Sequence, residues 1–266
     1  PFCSVYSAGA SAAIVNDNNT ITGCNIFDFF SAATISYGIQ LTSTGNSSWM
    51  FTNNKFYQTG SRTYTAANTH PTISVSTGTG YIITGNTFGY ATNSGTGAYS
   101  MLSTFDCRYI GIFATFSLSG TNRISNNTFR SFLLSTATGP SATTGIWCAI
   151  NVSAGAASID SNTIGDGTSN NSITVMSSVN IGVVMPIYCQ TTLGNVSIQG
   201  NSIGSVTLKG SLSSTGTGIT GINVASGAAN YNLTVVNNLI GSNTQPNSIY
   251  SSDTLAAPSG GRTMIG

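Results

Sequence analysis

The sequence predicts an all-β fold, a right-handed parallel β-helix of about seven coils with an Asn ladder along one corner. Three observations predict it. A corner motif recurs seven times, a second strand motif alternates with it, and the composition is rich in Ser, Thr, Asn and Gly yet apolar enough to fill a core.

The corner motif is apolar-x-x-Asn-x-apolar. It runs Ile21 to Ile26, Phe51 to Phe56, Ile83 to Phe88, Ile124 to Phe129, Ile159 to Ile164, Ile198 to Ile203 and Val235 to Ile240, and Cys24 is the one departure at the Asn position. Successive Asn positions are spaced by 30, 32, 41, 35, 39 and 37 residues, a mean of about 36. An Asn at a corner tolerates the left-handed conformation, and identical Asn side chains stacked coil over coil can hydrogen-bond along the axis. The expected ladder is Asn54, Asn86, Asn127, Asn162, Asn201 and Asn238. The apolar positions on either side point inward and form rows, one from Ile21 to Val235 and one comprising Ile26, Phe56, Phe88, Phe129, Ile164, Ile203 and Ile240. The three consecutive Phe should stack. The residues just after Asn, from Asn25 and Lys55 through Thr87, Thr128, Thr163 and Ser202 to Leu239, should face outward.

The second motif is a Gly-led strand: Gly38-Ile39, Gly111-Ile112, Gly145-Ile146, Gly182-Val183 and Gly221-Ile222, with Thr72-Ile73 in the remaining slot. Helical repeats of similar length are excluded, because they require a 3.6-residue apolar period that is absent here. Helical content should be minimal.

Composition bounds the function. Only 5% of the 266 residues are charged and the formal net charge is +1, against roughly 25% charged in ordinary soluble domains. A hydrophobic share of 40% with 12 Phe and 11 Tyr argues against disorder. With no basic run, neither nucleic acid nor an anionic membrane surface is an expected partner. No window approaches the length of a spanning helix. The chain opens at Pro1-Phe2-Cys3, and neither Cys3 to Gly9 nor Met264 to Gly266 reads as a cap. It is expected to be a single β-helix segment over residues 1–266 that continues beyond both ends, covered there by further coils or by end-to-end self-association.

The corner motif with Gly-Ile strands resembles the parallel β-helix repeat of pectate-lyase-like enzymes, phage tailspikes and large bacterial surface proteins. Phrases such as Ser125-Asn126-Asn127-Thr128-Phe129 and Asn162-Thr163-Ile164-Gly165 are most similar to the long, low-charge surface proteins that gliding bacteria export through the type IX secretion system. That resemblance implies adhesion or surface coating at an extracellular or cell-surface location.

Candidates for chemistry are few. Polysaccharide cleavage needs carboxylates gathered by adjacent coils, and six are available: Asp17, Asp28, Asp106, Asp160, Asp166 and Asp253. Asp28 and Asp166 share a row but lie four coils apart. Asp160 and Asp166, on one coil, make the best acidic site. His70, the single histidine, precedes Pro71 and reads as a turn or surface residue. Cys3, Cys24, Cys107, Cys148 and Cys189 lack metal-ligand spacing. They read as small apolar core residues, with a disulfide between neighbouring coils still open. Asn-x-Ser/Thr triplets are frequent enough to reflect composition, and Asp253-Thr254-Leu255 resembles a bacterial O-glycosylation motif.

The expectation is therefore a non-catalytic structural or adhesive segment without catalytic, metal or cofactor residues. A polysaccharide-binding or polysaccharide-degrading domain is the alternative, with outward Tyr57, Tyr90 or Tyr99 stacking on a surface glycan. Ice binding on the row Thr87, Thr128 and Thr163 is a third reading.

Overall fold

The computed structural model describes residues 2–8, 15–42, 45–137, 145–178, 183–191, 194–210, 218–226, 232–253 and 263–265. Every regular element among them is a β-strand. The chain is a parallel β-solenoid: each strand pairs in parallel with its equivalent one coil away.

Two seven-stranded sheets meet at the Asn corner. One runs from Thr20–Thr22 to Leu233–Val236, the other from Asn25–Phe27 to Leu239–Ile240. A ten-stranded sheet contains Ser36–Leu41, Asn68–Val75, Cys107–Thr115 and Trp147–Ala154. The fourth sheet has five strands, Tyr99–Leu102, Phe132–Thr136, Ile173–Ser177, Val206–Gly210 and Ile249–Asp253. The expected seven coils are thus corrected to about five turns bounded by strands on every side. The first two corners lack a strand of the fourth sheet, because the segments after Phe27 and Tyr57 go to the ten-stranded sheet without forming one.

The core is a set of axial rows, since parallel pairing in register places like beside like. Ile39, Ile73, Ile112, Ile150 and Ile187 follow one another across the ten-stranded sheet and all are buried. Phe56, Phe88 and Phe129 are buried and stack face to face, with ring centroids 4.9 and 4.4 Å apart and planes within 10°. Ile164 and Ile203 extend that row, and Ile240 is half-buried at its end. In the other row Phe51, Ile83, Ile124, Ile159 and Ile198 are sealed, whereas Ile21 is half-buried and Val235 is 45% exposed. The strands carrying Ile21 and Val235 have a neighbour on one side only.

The Asn positions bond along the axis. Asn54 Nδ2 donates to Asn86 Oδ1 at 3.0 Å, and the same bond links Asn86 to Asn127, Asn127 to Asn162, Asn162 to Asn201 and Asn201 to Asn238 at 2.9–3.0 Å. Each of those acceptor oxygens also receives the backbone N–H of the preceding Asn. The second amide proton goes to a backbone carbonyl, for example Asn127 to Ile83 at 2.9 Å. The groups are buried through Asn201 and fully bonded, as burial requires. Asn238 is half-buried.

Two expectations about the corner are corrected. The left-handed conformation belongs to the residue before Asn: Gly23, Asn53, Gly85, Asn126, Ser161, Gly200 and Asn237 have φ between 53° and 68°. The Asn itself keeps φ negative, which lets its amide lie along the axis. The slot of Gly38, Thr72, Gly111 and Gly221 is occupied in the two intervening coils by Ala149 and Pro186, because Ile112 pairs with Ile150 and Ile150 with Ile187. Gly145, with φ 67°, lies four residues earlier in a turn whose neighbour would obstruct a Cβ: the carbonyl of Val183 is 2.7 Å away. Gly182 falls outside the described residues.

Candidate functional site

The reactive side chains are built into the stack. His70 is fully buried, which corrects its expected surface position. Its Nδ1 lies 2.6 Å from Ser36 Oγ and its Nε2 2.6 Å from the Tyr99 hydroxyl. Gln58 Nε2 donates to that hydroxyl at 2.9 Å, Arg62 Nε donates to Gln58 Oε1 at 2.7 Å, and Arg62 pairs with Asp28 at 2.6 Å. A Ser–His contact of this length is the geometry of a nucleophile and its base. Here Ser36, His70, Gln58 and Tyr99 are all buried, and Phe29 stacks on the imidazole at 5.2 Å, so the pair faces no substrate. Burial pushes the His70 pKa down to about 3, and the ring stays neutral. For Asp28, desolvation is outweighed by the Thr59 hydroxyl and amide and by Arg62, which hold the carboxyl below its ordinary range.

The paired acidic site does not form as one unit. Asp160 receives Arg123 through Nε at 3.2 Å and Nη2 at 2.8 Å, and Ser158 donates to the same carboxylate. Asp166 accepts the Thr168 amide, the Thr168 hydroxyl and the Ser169 hydroxyl, which hold its pKa low. Sequence reasoning missed the Arg123–Asp160 pair. Its signal was present, since the two residues stand four and two positions before the Asn of adjacent coils, a diagonal neighbourhood across paired strands.

The outward aromatic platform is also corrected. Tyr99 is buried in the core and Tyr57 is 8% exposed, stacked on Phe27 with centroids 4.9 Å apart; Tyr90 is half-buried. Thr87, Thr128 and Thr163 do lie in register, each half-buried, beside the exposed Lys55, whose Nζ donates to the Asn93 carbonyl. The five cysteines are free thiols: Cys107, Cys148 and Cys189 are buried, Cys3 is half-buried and Cys24 is exposed, contrary to a core role for Cys24. Among the described residues no three His, Cys or Asp side chains gather as a metal site, and no helix is long and apolar enough to cross a membrane. Thr254 and Leu255 of the possible glycosylation motif lie outside the described residues.

An open groove of about 670 Å³ lies on the outer side of the sheet that contains Arg123–Ser125, Ala157–Asp160, Val196–Gln199 and Leu233–Val236. Leu118, Gly120 and Thr121 form one rim, Ala156, Gly194 and Val196 lie below, and Ser158, Ser197 and Thr234 follow one another in register along it. The groove exists because the approach is tight. A Cβ on Gly194 would come 2.5 Å from the backbone nitrogen of Ala156, so no side chain can stand there. Gly120, Gly155 and Gly194 each precede an Asn position by seven residues, a regularity visible in the sequence. Comparison of the chain with protein-family models, with curated proteins and with solved structures gives no match, so fold and site rest on the chain's own geometry.

Proposed function

We propose that the chain is a structural and adhesive segment of an extracellular or cell-surface repeat protein and does not act as an enzyme. One observation carries this reading: the buried side chains of the Ser–His pair and the Asp160 carboxylate are spent on joining coil to coil. Ser36, His70 and Tyr99 come from three strands and bond to one another in the core, and Asp160 is held by Arg123 of the preceding coil. The same economy governs the Asn positions and the Phe stack, so the covalent repeat becomes a rod bonded along its axis. The resemblance to low-charge proteins exported by the type IX system of gliding bacteria belongs with this reading. So does the apolar surface of the strands Leu233–Val236 and Leu239–Ile240, where Leu233, Val235, Val236 and Leu239 are 39–45% exposed. Further coils of the same protein, or a second copy stacked end to end, would cover it.

The groove favours glycan binding as the adhesive contact, without hydrolysis. Beads coated with the chain should adhere to polysaccharide-coated surfaces more than albumin-coated beads do. Incubation with pectin, alginate and neutral glycans should release no reducing ends. Reproducible product release, or adhesion equal to the albumin control, would overturn the proposal.

A further inference from the structure

The groove crosses four neighbouring coils, and its lining carries no charged and no aromatic side chain. What it does carry is a rail of unspent polar groups. Ser197 and Thr234 stand in register one coil apart, and among the described residues their hydroxyls make no hydrogen bond. The Thr121 hydroxyl on the rim likewise makes no hydrogen bond among the described residues. Asn195 accepts the backbone N–H of Asn232 through Oδ1 at 3.2 Å, which leaves its amide NH2 without a partner among the described residues. By contrast Asn122 uses both ends of its amide, accepting from the Tyr81 N–H and donating to the Ala156 carbonyl, and it anchors the rim. The nearest charges, Arg123 and Asp160, neutralise each other.

We infer that this groove seats a neutral, extended polysaccharide lying parallel to the solenoid axis, with about one pyranose ring per coil. The inference rests on the adhesive reading above and names its ligand class and site. Three physical points carry it. Parallel strands repeat every 4.7–4.9 Å, so donors and acceptors recur along the groove at close to the repeat of an extended chain of β-linked pyranose rings. An extended peptide advances about 3.3 Å per residue, which is out of step with the rail. The absence of a cation from the lining gives an acidic glycan nothing to pair with, whereas hydroxyl and amide groups match neutral sugar hydroxyls as both donors and acceptors.

The test uses the whole chain and calorimetric titration with cello-, xylo- and manno-oligosaccharides of two to six rings, and with oligogalacturonate of equal length. At least one neutral series should bind, with affinity rising from two rings to four and little beyond, and oligogalacturonate should bind at least tenfold more weakly. Ser197→Trp and Thr234→Trp, both outward on the rail, should each weaken the neutral ligand tenfold or more. Thr128→Trp, on a different sheet, should leave it unchanged, with circular dichroism used to verify that all three variants fold. Should the Trp variants fail to fold, Ser197→Ala combined with Asn195→Ala should weaken binding at least threefold. Equal affinity for oligogalacturonate, no dependence on ring number, or binding untouched by the groove variants would overturn this inference. Beads that still adhere when the groove is filled would overturn the groove alone, whereas failure of the unaltered chain to adhere would overturn the adhesive reading itself.

Discussion

Gly111 faces the ring of Phe129 so closely that a Cβ on Gly111 would overlap Cε1 of the ring and come 2.6 Å from the carbonyl oxygen of Ala149. The Gly of the strand motif and the Phe of the corner motif are therefore two sides of one contact. A Cβ on Gly38 would come 3.3 Å from the Phe56 ring, and one on Gly221 would come 3.0 Å from Ile240, in the same relationship. Gly111→Ala is expected to cost about 1–3 kcal/mol, the range for overpacking a dense core. Gly60→Ala, where a Cβ would meet nothing within 4 Å, should be neutral or slightly stabilising. Urea denaturation of the two variants gives the comparison, and equal midpoints would refute the contact's importance.

Replacing Asn127 by Leu should destabilise the chain more than replacing Asn238. Asn127→Leu leaves the N–H and the Nδ2 of Asn86 without their acceptor, removes the side-chain donor from Asn162 Oδ1 and strands the Ile83 carbonyl, all in a buried column. Unsatisfied buried groups cost about 1–3 kcal/mol each, so a loss of at least about 3 kcal/mol is expected for this variant. Asn238 is half-buried and water can replace part of its bonding. Equal small effects in denaturation would show that the column does not stabilise the fold.

Stability should fall between pH 7.5 and pH 5 because of His70. Its folded pKa is about 3 against 6.5 in the unfolded chain. Within that window the unfolded state takes up a proton that the folded state refuses, so stability rises with pH and is lost as pH falls. At about 1.4 kcal/mol per unit, the change from pH 7.5 to pH 5 costs about 2 kcal/mol. Asp28 and Asp166, whose carboxyls are held low, lose their contributions only at more acid pH, as pH falls through their folded values. His70→Gln should therefore lower stability at pH 7.5 yet flatten its dependence down to pH 5. Urea midpoints at pH 5, 6 and 7.5 measure this, and an unchanged slope in the variant would exclude His70 as the source.

Thiol reactivity should divide the cysteines by exposure. Burial pushes the pKa of Cys107 up to about 11 and that of Cys148 up to about 12, and raises Cys189 as well. In the folded chain a disulfide reagent should titrate Cys24 rapidly and the half-buried Cys3 more slowly, with Cys107, Cys148 and Cys189 reacting only after denaturation. Rapid reaction of all five thiols in native buffer would contradict the buried positions.

The sequence by itself determined the solenoid, its corner and its apolar rows. In a stacked fold each residue's neighbours are its own equivalents one coil away, so the interactions that select Asn127 also select Asn86 and Asn162, and repetition makes them legible in one dimension. The tertiary structure decided everything that joins non-equivalent positions. Variable loops hide the register there, which is why the Gly145-Ile146 pair mimics a slot that Ala149 fills, and why the Arg123–Asp160 pair is not legible in the sequence without that register. His70 looked like a turn residue because its partners, Ser36 and Tyr99, lie 34 and 29 residues away on different strands. The left-handed step at Asn126 or Gly200 was written in the sequence as a run of Gly, Asn and Ser, yet assigning it to the correct side of the corner required knowing that the next amide bonds along the axis. The groove is tertiary for the same reason: it is the space left where coils carrying Gly120, Ala156 and Gly194 pack backbone against backbone, and no single coil contains it.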